Sequence, residues 1–138
     1  MPTEFDRPPQ EHIFRSVVDT YPNVDLNRGS CNDIDGRKRV DVSEAMKGRC
    51  AVLLVFGQSN GANSGETPYT PAQRVFNFNL FDGECYVARD PLLGATEQKG
   101  NFAGRLGDML IERGLFDSVI LTTISVGGSR AEEWTTGG

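Results

Sequence analysis

Ala51-Val52-Leu53-Leu54-Val55-Phe56 runs without a polar residue into Gly57-Gln58-Ser59-Asn60-Gly61. Successive apolar residues ending at a glycine suit a central strand covered on both faces, as in a parallel sheet. A polar, glycine-flanked bend then follows the carboxyl end of that strand. In open α/β sheets this is where ligands bind.

Downstream, Arg74-Val75-Phe76-Asn77-Phe78-Asn79 alternates and predicts a second strand, and residues 84–88 a third, joined by an Asp82-Gly83 turn. The period then changes. Phe102, Leu106, Met109 and Leu110 fall on one face of a helix over 101–113, with Asn101 as its N-cap and Gly114 just past its end. Ser118 to Ile124 is rich in β-branched residues and predicts another strand, closing on Val126-Gly127-Gly128. Strand, loop, helix, strand in this order predicts an α/β layered fold.

Upstream, residues 1–48 are polar and broken by Pro8-Pro9, Tyr21-Pro22 and Asp35-Gly36, and predict a lead-in segment before a domain spanning 49–138. Within the lead-in, Ile13-Phe14 and Val17-Val18 offer the apolar face of one short helix near 10–19. After the last strand and its loop come Thr136-Gly137-Gly138. An α/β sheet stopping there leaves an edge without its next crossover, so the expectation is a domain truncated after the Gly-Gly-Ser loop.

The 138 residues suffice for one domain, and 38% hydrophobic with 24% charged residues fits a globular chain. A net charge of −5 argues against nucleic acid as a partner. The one basic cluster, Arg37-Lys38-Arg39, reads as a solvated turn after Asp35-Gly36. No stretch approaches the roughly 20 apolar residues of a membrane span, and the N-terminus lacks the features of a signal peptide. The default expectation is therefore cytoplasmic. Cys31, Cys50 and Cys85 have no metal-ligand spacing and read as free thiols, with a single disulfide left open. No metal or other cofactor is expected. His12 is the sole histidine.

A serine at a sharp strand-to-loop turn exposes its hydroxyl and aims nearby backbone N–H groups at an incoming carbonyl oxygen. It becomes nucleophilic when a base, commonly a histidine oriented by a carboxylate, takes its proton. The same five residues also fit a turn capping a following helix, or a phosphate cradle built with Gly61 and Gly65. The Gly-Lys-Ser/Thr ending of a P-loop and the G-x-G-x-x-G fingerprint are both absent.

The run VLLVFGQSNGANSG resembles the first block of the SGNH hydrolases, in the branch of sialate O-acetylesterases and acetyl xylan esterases. Two later segments agree in order and spacing. Asp90-Pro91-Leu92-Leu93 with Gly100-Asn101-Phe102-Ala103 is similar to the second block, and Val126-Gly127-Gly128-Ser129 with Glu133-Trp134 is similar to the Gly-Gly-Ser/Thr…Glu-Trp loop. The resemblance covers about residues 50–134. It implies a three-layer, flavodoxin-like parallel sheet and a serine esterase that removes O-acetyl groups from carbohydrates through an acyl-enzyme.

By that resemblance Ser59 is the nucleophile and its own N–H an oxyanion donor. Gly100 is the second donor, with Gly94 the fallback. Gln58 and Asn60 brace the turn, and Gly127, Gly128 and Ser129 shape the cleft. The substrate is an acetylated carbohydrate. Trp134 reads as packing before a sugar platform. The family's Gln-Gly-Glu and Asp-x-x-His blocks, the latter carrying the acid and base, match nothing in 1–138. His12 precedes the serine, whereas the family's base follows it. The isolated chain is therefore expected to be inactive or nearly so. Two other classes stay open: a non-catalytic glycan-binding or interaction module of the same fold, and a nucleotide- or phosphate-binding α/β domain.

Overall fold

The computed structural model describes residues 30–135. His12 and the helix expected at 10–19 lie outside them. Five strands form one sheet: β1 (Arg39–Val40), β2 (Cys50–Gly57), β3 (Val75–Asn79), β4 (Glu84–Val87) and β5 (Ser118–Ser125), in the order β1-β4-β3-β5-β2. Helix α1 (Val42–Ala45) follows β1, α2 (Phe102–Glu112) precedes β5, and a 3₁₀ turn spans Ala131–Trp134.

The α/β expectation holds, but the sheet is mixed, not parallel. β2, β5 and β3 run parallel, while β4 and β1 are antiparallel to their neighbours. The reason is the short connection at Asp82-Gly83, which can join only antiparallel strands. There Gly83 N–H donates to Asn79 O (2.9 Å) and Asp82 Oδ1 accepts from Glu84 N–H (2.9 Å). β1 falls inside the segment read as lead-in: Arg39 pairs with Tyr86 and Val40 with Cys85. Nor is Arg37 merely solvated. Its guanidinium donates to the carbonyls of Asp33, Arg89 and Pro91, and its burial lowers its pKa.

The helices sit on opposite faces. Ala103 of α2 packs with Ala51, Val75, Val119 and Leu121, whereas Ala45 of α1 packs with Phe76, Cys85 and Ile120. Both ends of α2 are as expected. Asn101 Oδ1 accepts from Ala103 N–H (3.0 Å), and beyond the last turn Gly114 and Leu115 N–H donate to Ile111 O and Leu110 O, a Schellman closure.

Two expectations about burial are overturned. The first concerns β2, which lies at the sheet edge. Among the described residues no strand pairs with its outer side, and β5 takes the interior place instead. Val52, Leu54 and Phe56 point to the α1 face, which a four-residue helix barely covers, and are 62%, 56% and 62% exposed. Replacing all three with threonine, which keeps β propensity, is expected to shift unfolding free energy by less than about 1 kcal/mol. It should also lower binding of an apolar dye. A loss above about 2 kcal/mol in urea unfolding would mean that this row is buried in solution.

The second concerns α2. It buries Ala103, Gly104, Gly107 and Asp108, while Phe102, Leu106 and Met109 of the predicted core face are exposed. The helix lies too close to the sheet for larger residues: a Cβ on Gly107 would sit 2.9 Å from Val75 Cγ1. Asp108 is held inward because its carboxylate accepts Ala72 and Gln73 N–H (both 2.9 Å) and the Tyr69 hydroxyl. A satisfied buried carboxylate outweighed the apolar stripe.

Candidate functional site

At the carboxyl end of β2 the chain reverses through Gly57, whose φ of +143° is open essentially to glycine. Gly61 N–H donates to Gln58 O (2.9 Å) and Ala62 N–H to both Gln58 O and Ser59 O (3.1 Å each), closing a tight turn with Ser59 inside it. Ser64 Oγ holds Ser59 O from the far side. Ser59 is half-buried. Among the described residues neither its hydroxyl nor its N–H has a hydrogen-bond partner, and the N–H of Asn60 has none either.

The segment 92–101 closes over this turn, and the side chain that fastens it is Asn63, which is fully buried. Asn63 Nδ2 donates to the carbonyls of Leu92 (2.9 Å), Ala95 (3.3 Å) and Glu97 (3.2 Å). Its Oδ1 accepts from Leu92 N–H (2.9 Å) and Asn101 Nδ2 (3.3 Å). From below, Asn77 Oδ1 accepts Leu93 N–H (2.7 Å), and Thr123 Oγ1 donates to Leu93 O (2.7 Å). The polar residues of β3 thus face inward beneath the site, while Phe76 and Phe78 take the other face. Nothing in the spacing of Asn63 or Asn77 announced these roles. The one signal is an asparagine alternating with apolar residues in a strand.

The third segment joins through main-chain bonds and two side-chain hydroxyls. Val126 N–H donates to Gly57 O (2.9 Å), Ser129 Oγ to Val126 O (2.7 Å) and Gly57 O (3.3 Å), Thr96 N–H to Ser125 O (2.9 Å), and Gly127 N–H to Thr96 Oγ1 (2.8 Å). The turn bearing Ser59, the 92–101 segment and the 126–129 loop therefore meet at one end of the sheet.

Several residue roles differ from expectation. Gly100 N–H donates to Gly65 O (2.9 Å) and Gly94 N–H to Cys31 O (2.9 Å), so neither amide is free for an oxyanion. Both glycines serve close packing instead, since a Cβ on Gly100 would overlap Thr67 and one on Gly94 would overlap Thr123. Gln58 and Asn60 are exposed, and their side chains have no hydrogen-bond partner among the described residues. Asn63 and Asn101 do the bracing assigned to them. Asn101 Nδ2 reaches Gly61 O at 3.0 Å. The side chains of Glu133 and Trp134 lie outside what the structure describes.

Asp90 ties the site to the loop before β3: its Oδ2 accepts from Tyr69 N–H (2.8 Å) and Asn101 N–H (2.9 Å), while Oδ1 is buried without a partner among the described residues. Burial holds this carboxyl above its ordinary 3.8, against the pull of those two amides. A raised carboxyl pKa means that the folded state prefers the proton. Its contribution is complete below 3.8 and is lost as pH rises through the higher folded value. Thermal unfolding of Asp90→Asn is therefore expected to gain on the wild type as pH climbs from below 4 towards neutral. A difference in Tm that does not change with pH would refute this.

All three cysteines are free, and burial pushes the Cys85 thiol up to about 11. Among the described residues no cluster of His, Cys, Asp or Glu could hold a metal, and no helix is long and apolar enough to cross a membrane. No protein family, curated protein or solved structure matches the chain.

Proposed function

We propose that this chain carries the nucleophile of a serine esterase acting on O-acetylated carbohydrates. The observation that carries the reading is Ser59 itself, a half-buried serine just past the end of a parallel strand, whose hydroxyl and N–H, with the N–H of Asn60, have no hydrogen-bond partner among the described residues. Attack by Ser59 Oγ on the acetyl carbonyl forms a tetrahedral oxyanion, for which the uncommitted N–H groups of Ser59 and Asn60 are the donors in this reading. Collapse expels the sugar alkoxide, and water then releases acetate from the acyl-serine. Proton removal from Oγ requires a base, and the described residues contain no histidine. Without triad partners, roughly 10³–10⁴-fold catalysis over water is the residual level expected.

The test is labelling by a fluorophosphonate probe, located by peptide mass spectrometry, with and without added imidazole as an external base. Modification is expected at Ser59, faster with imidazole and absent in Ser59→Ala. Label spread over other serines, or unchanged in Ser59→Ala, would remove the esterase reading. The engaged amides of Gly94 and Gly100 favour a second reading, a glycan-binding module without turnover. Glycan binding by a chain that never labels would decide for it.

A further inference from the structure

Glu97 stands where the 92–101 segment meets the 126–129 loop, and the chemistry above makes no use of it. Among the described residues it is the sole non-glycine residue with positive φ, at +71°. A glycine would hold this conformation without steric cost, so a bulky acidic residue there is strained. The strain persists because its surroundings are pinned. Glu97 O accepts from Asn63 Nδ2 (3.2 Å), and Thr96 bonds to both Ser125 and Gly127. The side chain is thereby aimed across the gap: Oε1 lies 3.2 Å from where a Cβ on Gly127 would be. The carboxylate is exposed and has no hydrogen bond or ion pair among the described residues, and Lys99, two positions on, does not pair with it.

A carboxylate carried on a strained, pinned backbone, with both oxygens free among the described residues and a side-chain-less wall opposite, is open to accept. A single carboxylate is a poor metal site, and among the described residues no group of three or more His, Cys, Asp or Glu could hold one. Vicinal hydroxyls of a sugar are donors that a carboxylate takes in pairs, whereas an ionised sugar would be repelled. We propose that Glu97 selects the glycan of the Ser59 site, accepting the hydroxyls of a neutral sugar and disfavouring acidic ones. This rests on the esterase reading for the site and adds its substrate class.

The experiment titrates the full chain with xylotetraose, a neutral glycan, and with the α-methyl glycoside of N-acetylneuraminic acid, an acidic one, by calorimetry. The wild type is expected to bind xylotetraose more tightly than the sialoside. Glu97→Gln should weaken xylotetraose about tenfold and narrow the gap between the two. Gly127→Ala, which leaves Glu97 in place but crowds its carboxylate, should weaken xylotetraose as well, with thermal unfolding run on each variant. Equal affinity in wild type and Glu97→Gln, preference for the sialoside, or no binding of xylotetraose would each overturn the proposal. Fluorophosphonate labelling separates the two ideas. Label at Ser59 with binding indifferent to Glu97 defeats this proposal alone. Glu97-dependent binding without label supports it and defeats the esterase reading.

Discussion

Asn63→Ala is expected to destabilise the chain by roughly 3–5 kcal/mol, since it removes the acceptor of two donors and the donor to three carbonyls in a dry interior. Each buried group left unpaired costs about 1–3 kcal/mol, and water entering the small cavity recovers part of that. For a unit of this size the unfolding midpoint should drop by well over 10 °C, on the order of 15–25 °C. The functional loss should be larger still, because 92–101 would no longer be fixed against the Ser59 turn. Asn63→Asp discriminates the mechanism. It keeps an acceptor for Leu92 N–H but turns a carboxylate towards three carbonyl oxygens, so it should be at least as damaging as alanine. Asn60→Ala, three residues earlier and exposed, should stay within about 0.5 kcal/mol. Urea unfolding of the three variants checks the order, and an Asn63→Ala loss below about 1 kcal/mol would show that the asparagine does not hold the site together.

Gly94→Ala should be the most destructive glycine-to-alanine change among the described residues. Gly94 has φ +103°, and an added Cβ would overlap the Thr123 carbonyl of the interior strand β5. Gly57→Ala supplies the control. There φ is +143° and a Cβ would meet nothing within 4 Å, so only the backbone cost of about 1–3 kcal/mol applies. At Gly94 the steric term adds to this, because β5 cannot retreat without breaking its ladders to β3 and β2. Gly94→Ala is thus expected to exceed Gly57→Ala by at least about 2 kcal/mol, or to yield no folded protein. Equal losses, measured by denaturant unfolding, would mean that the 92–95 segment can move off the strand. The glycine would then be a flexible joint and not a wedge point.

Both predictions concern residues whose importance the sequence under-reports. Asn63 looks like one more polar residue in NGANSG, and Gly94 like a loop glycine. The alternation of β3 predicts a strand but does not announce that both faces are buried, with Phe76 in one core cluster and Asn77 and Asn79 fully buried on the other face. The amphipathic stripe of α2 points to Phe102, Leu106 and Met109, yet Gly107 and Asp108 decide which way the helix faces. In the helix a hydrogen-bonded polar group and the absence of a side chain prevailed over apolar periodicity.

Sequence alone determined what depends on neighbours a few residues apart. It predicted extended segments at 51–56, 74–79, 84–88 and 118–124 and a helix over 101–113 between Asn101 and Gly114, each within one or two residues of the element that forms. It also placed a serine in a glycine-flanked bend. Such features follow from side-chain period, local capping bonds and allowed φ values. Tertiary structure alone decided that β2 is an edge, that β5 is interior, that the Gly94 and Gly100 amides are occupied, and that Asn63 clamps the site. The physical reason is distance along the chain: Cys31 meets Gly94, Asn63 meets Leu92, and Gly57 meets Val126. Which donor finds which acceptor across such separations depends on the order in which strands pair, and no local pattern of residues encodes it.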